Sequence, residues 1–220
     1  MAGMSQLKKK QISLIAEWVG GKLSDEGTGH DWLHIKRVQR LSLMIAKEEG
    51  ADLFITEAAA LVHDLIDEKL SARHRMPLSA LKRQLSGFGI DNQAAEDIIS
   101  IITKMSFRDR EKYKDQKLSL EGQAVQDADR LDAMGAVGIA RAFMYAGAKG
   151  HLLYREGSHD KNAPSAVGHF YEKLLLLKDL MNTKTGRRLA EHRHKLMRSF
   201  LSELKNECAC TEQAAWIDRE

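Results

Sequence analysis

The chain has 220 residues, of which 43% are hydrophobic and 30% charged, with two prolines and two cysteines. That is enough apolar material for a sizeable core, and it excludes a disulfide-stapled miniprotein or a disordered chain. A formal net charge of +3 suits anionic small molecules but supports nucleic acid only weakly, because that partner asks for clustered Lys/Arg faces.

Nearly every segment spaces its apolar residues with helical period, and no alternating strand run stands out, so an all-α, single-domain helical bundle is expected. The basic N-terminal stretch reads as a first amphipathic helix over about 5–22 that ends at Gly20-Gly21. Its apolar part is broken by Glu17, unlike a targeting segment. A polar loop over 24–30 follows. Asp31 is expected to cap a second helix, with His34, Val38, Leu41 and Ile45 on one face and Gly50 as its stop. Thr56 is expected to cap a third helix that is apolar nearly all round and carries His63, Asp64 and Asp67 within it.

After Pro77, a helix puts Leu78, Leu81, Leu85 and Phe88 on one side. Asp91 or Asn92 caps the next. The charged stretch 106–118 reads as a loop or exposed helix bordering a cleft. One long helix is expected from Leu120 to about Gly147, with Ala128, Ala133, Gly135, Ala136 and Gly138 allowing close helix approach. Residues 147–167 read as a mobile loop, and two helices follow at about 168–182 and 185–207. Cys208 and Cys210 lack C-x-x-C spacing and read as reduced and incidental, which favours the cytosol. No apolar run reaches membrane-spanning length.

The chemistry starts from polar residues in apolar company. There are three His-Asp doublets, at His30-Asp31, His63-Asp64 and His159-Asp160. The middle one sits among Ala, Leu and Val, where an ionised carboxylate is expensive unless paired. Asp127, Asp129 and Asp132 crowd a second segment and repel one another unless a cation or basic residue intervenes. His34 opens an apolar face. Singly, each has an ordinary explanation: a hydrogen-bonded core histidine, a solvated acidic face, a capping Asp31, a loop Asp160. Together they supply imidazoles and carboxylates for a metal site of mixed N and O ligands. With no thiolate, a structural zinc site is not expected.

His34 in "HIKRV", His63-Asp64 in "ALVHDLID" and Asp129 in "DADRLDA" resemble the ordered H…HD…D signature of the HD-domain metal-dependent phosphohydrolase superfamily. "DADRLDAMGAVGIAR" and "HFYEKLLLLKDLMNT" are similar to a small single-domain bacterial branch of it, and the resemblance runs over roughly 20–205. It implies an HD-type helical domain with a metal-binding core at about 20–150, its cleft completed by C-terminal helices at about 168–207. It implies one divalent metal on His34, His63, Asp64 and Asp129. Mn or Mg is the first expectation; Co, Ni, Fe and Zn are also compatible. Asp129 is preferred to Asp127 and Asp132 because it aligns with the Asp of an "A-D-x-L" pattern.

The same resemblance makes Asp67 the residue that orients or deprotonates an attacking water; the alternative is that it only pairs with Lys69 or an arginine. Lys69, His169 and Lys173 are candidate phosphate contacts, and His30 a candidate lining of the cleft. The expected substrate is a small phosphate compound, a nucleotide first of all. (Deoxy)nucleoside triphosphates would be cleaved to monophosphate and pyrophosphate. A nucleoside monophosphate phosphatase is the alternative. Two other classes stay open: a two-metal oxygenase drawing on His30, His74 or His169, and a non-catalytic nucleotide- or nucleic-acid-binding protein. No membrane partner is expected, and a homodimer is left open.

Overall fold

The computed structural model describes residues 4–25, 31–67, 70–71, 73–105, 117–154 and 164–208. The chain separates into two compact units, Met1–Asp129 and Arg130–Glu220. Among the described residues the structure is all helical. Its one extended feature is an isolated parallel bridge between Leu152 and Ser165.

The first unit is built around an apolar helix. α1 (Gln6–Lys22) starts at Ser5, whose hydroxyl accepts from Lys8 N, and runs through Gly20-Gly21 instead of stopping there. A Cβ at Gly20 would lie 3.3 Å from the Trp32 indole, so this glycine serves close packing. α2 (Trp32–Glu49) begins as expected: Asp31 accepts a 2.7 Å bond from His34 N. It ends at Gly50, whose φ of 81° is costly for any residue with a Cβ. Its buried face is His34, Ile35, Val38, Ser42, Ile45 and Ala46, with Leu41 only half-buried.

α3 (Leu53–Val62) departs from expectation at both ends. Its cap is Asp52, which bonds Phe54 N and Ile55 N, while Thr56 lies inside the helix and returns its hydroxyl to Asp52 O at 2.7 Å. It stops at Val62, so His63, Asp64 and Asp67 follow the helix instead of lying in it. Beyond Val62 the backbone tightens to three-residue turns, Leu65 N to Val62 O at 3.1 Å and Asp67 N to Asp64 O at 2.8 Å. The body of α3 is buried nearly all round, and α1, α2 and α5 pack against it. α4 (Leu78–Gly87) buries Leu81 and Leu85 but leaves Leu78 exposed. α5 (Asn92–Lys104) is capped by Asp91, which accepts from Ala94 N at 2.9 Å. Of the charged 106–118 stretch, residues 106–116 lie outside the described residues.

The expected long helix is two helices, α6 (Leu120–Asp132) and α7 (Gly135–Ala148). The break is made by the small residues assigned above to helix approach. Gly135 takes φ of 69°, and a Cβ on Gly138 would collide with Ala133 O at 2.3 Å. The first C-terminal helix is also divided. α8 (Ala166–Glu172) ends at Lys173, whose φ of −141° is not helical, and a 3-10 helix (Leu174–Leu180) takes over. Its three-residue period stacks Leu174 and Leu177 on one buried side. α9 (Lys184–Cys208) packs on α7 and on the 3-10 helix. No described helix is long and apolar enough to cross a membrane.

Candidate metal centre

The buried end of α3 delivers the middle doublet to a cluster within the first unit. His63 is the C-cap of α3, and its ring is fixed by a 2.8 Å bond between Nδ1 and Ala60 O. A carbonyl can only accept, so Nδ1 carries a proton, and in the neutral ring Nε2 is the nitrogen that presents a lone pair. That Nε2 is buried and takes part in no hydrogen bond. It lies 3.3 Å from Asp64 Oδ1 and 3.8 Å from Asp129 Oδ1.

His34 reaches the same point from α2. Its ring is fully buried, with Nε2 3.2 Å from Asp64 Oδ2 and 3.5 Å from Asp129 Oδ1. The Asp64 carboxylate therefore straddles the two imidazoles, one oxygen toward each. The rings meet edge to face with centroids 5.4 Å apart. Asp129 comes from α6 and is the open side of the cluster, its side chain 41% exposed while that of Asp64 is 7% exposed.

The arrangement fits a divalent cation. Ligand atoms of His34, His63 and Asp129 all lie within 4.8 Å of one another. Donors about 2.1 Å from a shared ion would sit about 3–4 Å apart. A lone pair facing carboxylate oxygens at these distances is repulsive unless a positive charge lies between them. Imidazole nitrogen and carboxylate oxygen suit Mn, Mg, Fe, Co, Ni or Zn alike, so the donor set leaves the ion's identity open.

The three aspartates of α6 separate cleanly. Asp129 faces the imidazoles. Asp132 is buried and accepts a 2.6 Å bond from Arg141 of α7, which gives that arginine a structural role. Asp127 is fully buried. Asp67 follows the doublet by one tight turn and is half-buried.

Apart from His74, the remaining candidates fall outside the described residues or belong to the second unit. Lys69, His30 and the third doublet, His159-Asp160, fall outside them. His169 and Lys173 belong to the second unit, where Lys173 N bonds His169 O at 3.1 Å as α8 ends. Burial, then the Lys173 ammonium, holds the His169 imidazole below its ordinary value. Phe170, Leu174 and Leu177 are buried beside them. His74 is not part of the His34, His63 and Asp129 group. Its Nδ1 is 2.7 Å from Ser71 Oγ and its Nε2 3.0 Å from Asp25 Oδ1, so both ring nitrogens are engaged. The pairing of Asp25 with His74 was not foreseeable from sequence, since 49 residues separate them.

A family model described as HD domain matches residues 32–134. YpgQ of Bacillus subtilis (strain 168) is 54% identical over 198 residues, which span 90% of this chain and 94% of that protein. The crystal structure of Bacillus subtilis YpgQ in complex with ADP superposes with a TM-score of 0.81 at 51% identity, covering 93% of this chain and 98% of that one. That of an HD-superfamily hydrolase from Bacillus thuringiensis does so with a TM-score of 0.74 at 37% identity, covering 93% and 100%.

Proposed function

The chain belongs to the HD domain family, and from that premise we propose that it is a metal-dependent phosphohydrolase acting on nucleotides or related phosphate esters. The observation that carries the reading is the bare, buried Nε2 of His63 held against the carboxylates of Asp64 and Asp129. His34, His63, Asp64 and Asp129 are the proposed ligands of one divalent ion, Mn or Mg in the first place. When bound, the ion supplies Lewis-acid polarisation and countercharge for a phosphoryl group.

The chain's own residues do the rest. His63 keeps its lone pair aimed inward because Ala60 O holds the opposite nitrogen's proton. The exposed edge of Asp129 leaves one side of the cluster reachable by substrate. Asp67 orients the attacking water and takes its proton on a carboxylate oxygen. Lys69, His169, Lys173 and His30 are proposed substrate contacts, the two lysines countering phosphate charge. The ADP complex of YpgQ supports a nucleotide as the ligand class. Within that class we favour nucleoside triphosphates, deoxy forms included, cleaved to monophosphate and pyrophosphate.

The test is a turnover screen on protein stripped of metal and reloaded with Mn or Mg, with Asp64→Ala as the blank. Phosphate and pyrophosphate are quantified separately over a nucleotide panel. Pyrophosphate from triphosphates is the expected product. Phosphate from monophosphates would make the protein a nucleotidase instead. No product with about one metal bound per chain would overturn the nucleotide substrate, and no product with no metal bound would overturn the metallohydrolase reading.

A further inference from the structure

Between the end of α3 and the start of α4 the described residues make no regular helix, yet they include Asp64 and Asp67. Two ties hold this stretch. One is at its base, where Met76 N bonds Leu65 O at 2.8 Å and brings the two ends together. The other is at its flank, through His74. That imidazole is 9% exposed and spans from the stretch itself to the chain beyond α1. A carboxylate only accepts, so His74 Nε2–H donates to Asp25 Oδ1 at 3.0 Å, and Nδ1 pairs with the Ser71 hydroxyl at 2.7 Å. Arg73 adds a second contact to Asp25, at 2.9 Å. Leu70 is buried between the two ties, and its N bonds Asp67 O at 3.2 Å. The His74 hydrogen bond also holds the Asp25 carboxyl below the usual carboxylate range.

A stretch that closes on itself and is fastened at its flank is a means of holding side chains still without a helix. We propose that His74 is a positioning residue: by bridging Asp25 and Ser71 it steadies Leu65, Asp67, Leu70 and Met76 and so aims Asp67. The inference rests on the hydrolase reading above for what Asp67 does there. It does not rest on it for the clamp itself.

Hydrogen exchange and turnover of the full-length protein test the two parts separately, with Asp25→Ala, Asp25→Asn and His74→Phe. Asp25 is half exposed, so its variants keep the core intact. In Asp25→Ala and His74→Phe, the amides of Leu65, Asp67, Leu70 and Met76 should exchange roughly tenfold faster, with α5 unchanged. In the Mn-loaded protein, kcat should fall by about tenfold while KM barely moves, because aim and not substrate affinity is lost. Asp25→Asn keeps an oxygen that accepts from His74 and should recover most of both. Wild-type exchange in Asp25→Ala and His74→Phe would overturn the clamp. Altered exchange with kcat within about twofold of wild type would overturn the positioning role. If the wild-type protein hydrolyses no phosphate compound, the hydrolase reading fails instead, and exchange alone decides whether the clamp exists.

Discussion

Two buried aspartates, Asp64 in the first unit and Asp132 in the second, present the same problem and receive opposite solutions. Asp132 meets the guanidinium of Arg141 at 2.6 Å, a permanent cation supplied by the chain. Asp64 meets the imidazoles of His34 and His63 at 3.2 and 3.3 Å, and because His63 Nδ1–H donates to Ala60 O, the nitrogen nearest to Asp64 is the one that offers a lone pair when the ring is neutral. Arginine is charged at every relevant pH and closes the pair. Neutral imidazole offers a lone pair and leaves room for a charge from outside. The first arrangement holds structure; the second suits the ion proposed above.

That contrast predicts a crossed pair of phenotypes. The largest effect belongs to Asp64→Ala, which should lose metal and reduce turnover by roughly a thousandfold, while its urea midpoint measured without metal stays near that of the metal-free wild type. Bound metal by elemental analysis beside initial rates would decide it; normal turnover in Asp64→Ala would remove the assignment. Next is Asp67→Ala, expected to keep its metal and lose about a hundredfold in kcat, the usual scale for a general base. Metal loss in that variant would place Asp67 among the ligands.

Asp132→Ala should do the reverse of Asp64→Ala. Leaving Arg141 without its carboxylate should cost about 2–3 kcal/mol in urea unfolding, less than a fully buried pair because Arg141 keeps some solvent contact, with metal content unchanged. The smallest effect is on pH dependence. His169 is held below its ordinary value of 6.5 by burial first and then by Lys173, so the unfolded chain binds the extra proton more readily. Its contribution to stability is complete above about pH 6.5 and is lost as pH falls through the lowered folded value. Replacing it with glutamine should flatten that part of the profile, read as urea midpoints at pH 8 and pH 5.

Several local features are legible in the sequence for reasons that act over a few residues. Asp31 and Asp91 read as caps because a short acceptor three residues before a free amide satisfies it. Gly50 reads as a stop because the left-handed turn favours a residue with no side chain. Local signals also mislead. Thr56 looks like a cap, but Asp52 four residues earlier bonds two amides and wins. The glycines and alanines after Asp132 suit a continuous helix as well as a break. Contact between Ala133 O and the place where a Gly138 side chain would stand is visible only once the chain has turned.

By itself, the sequence determined an all-helical chain, its apolar faces, and the presence of His34, His63, Asp64 and Asp129 in company that penalises charge. Only the tertiary structure decided that Asp132 meets Arg141, that α3 ends before the doublet, and that Asp25 meets His74 across 49 residues. The reason is one of range. Capping and helical period act within about four residues, whereas the distances that make a cluster of polar groups into a site are set by how separate helices pack.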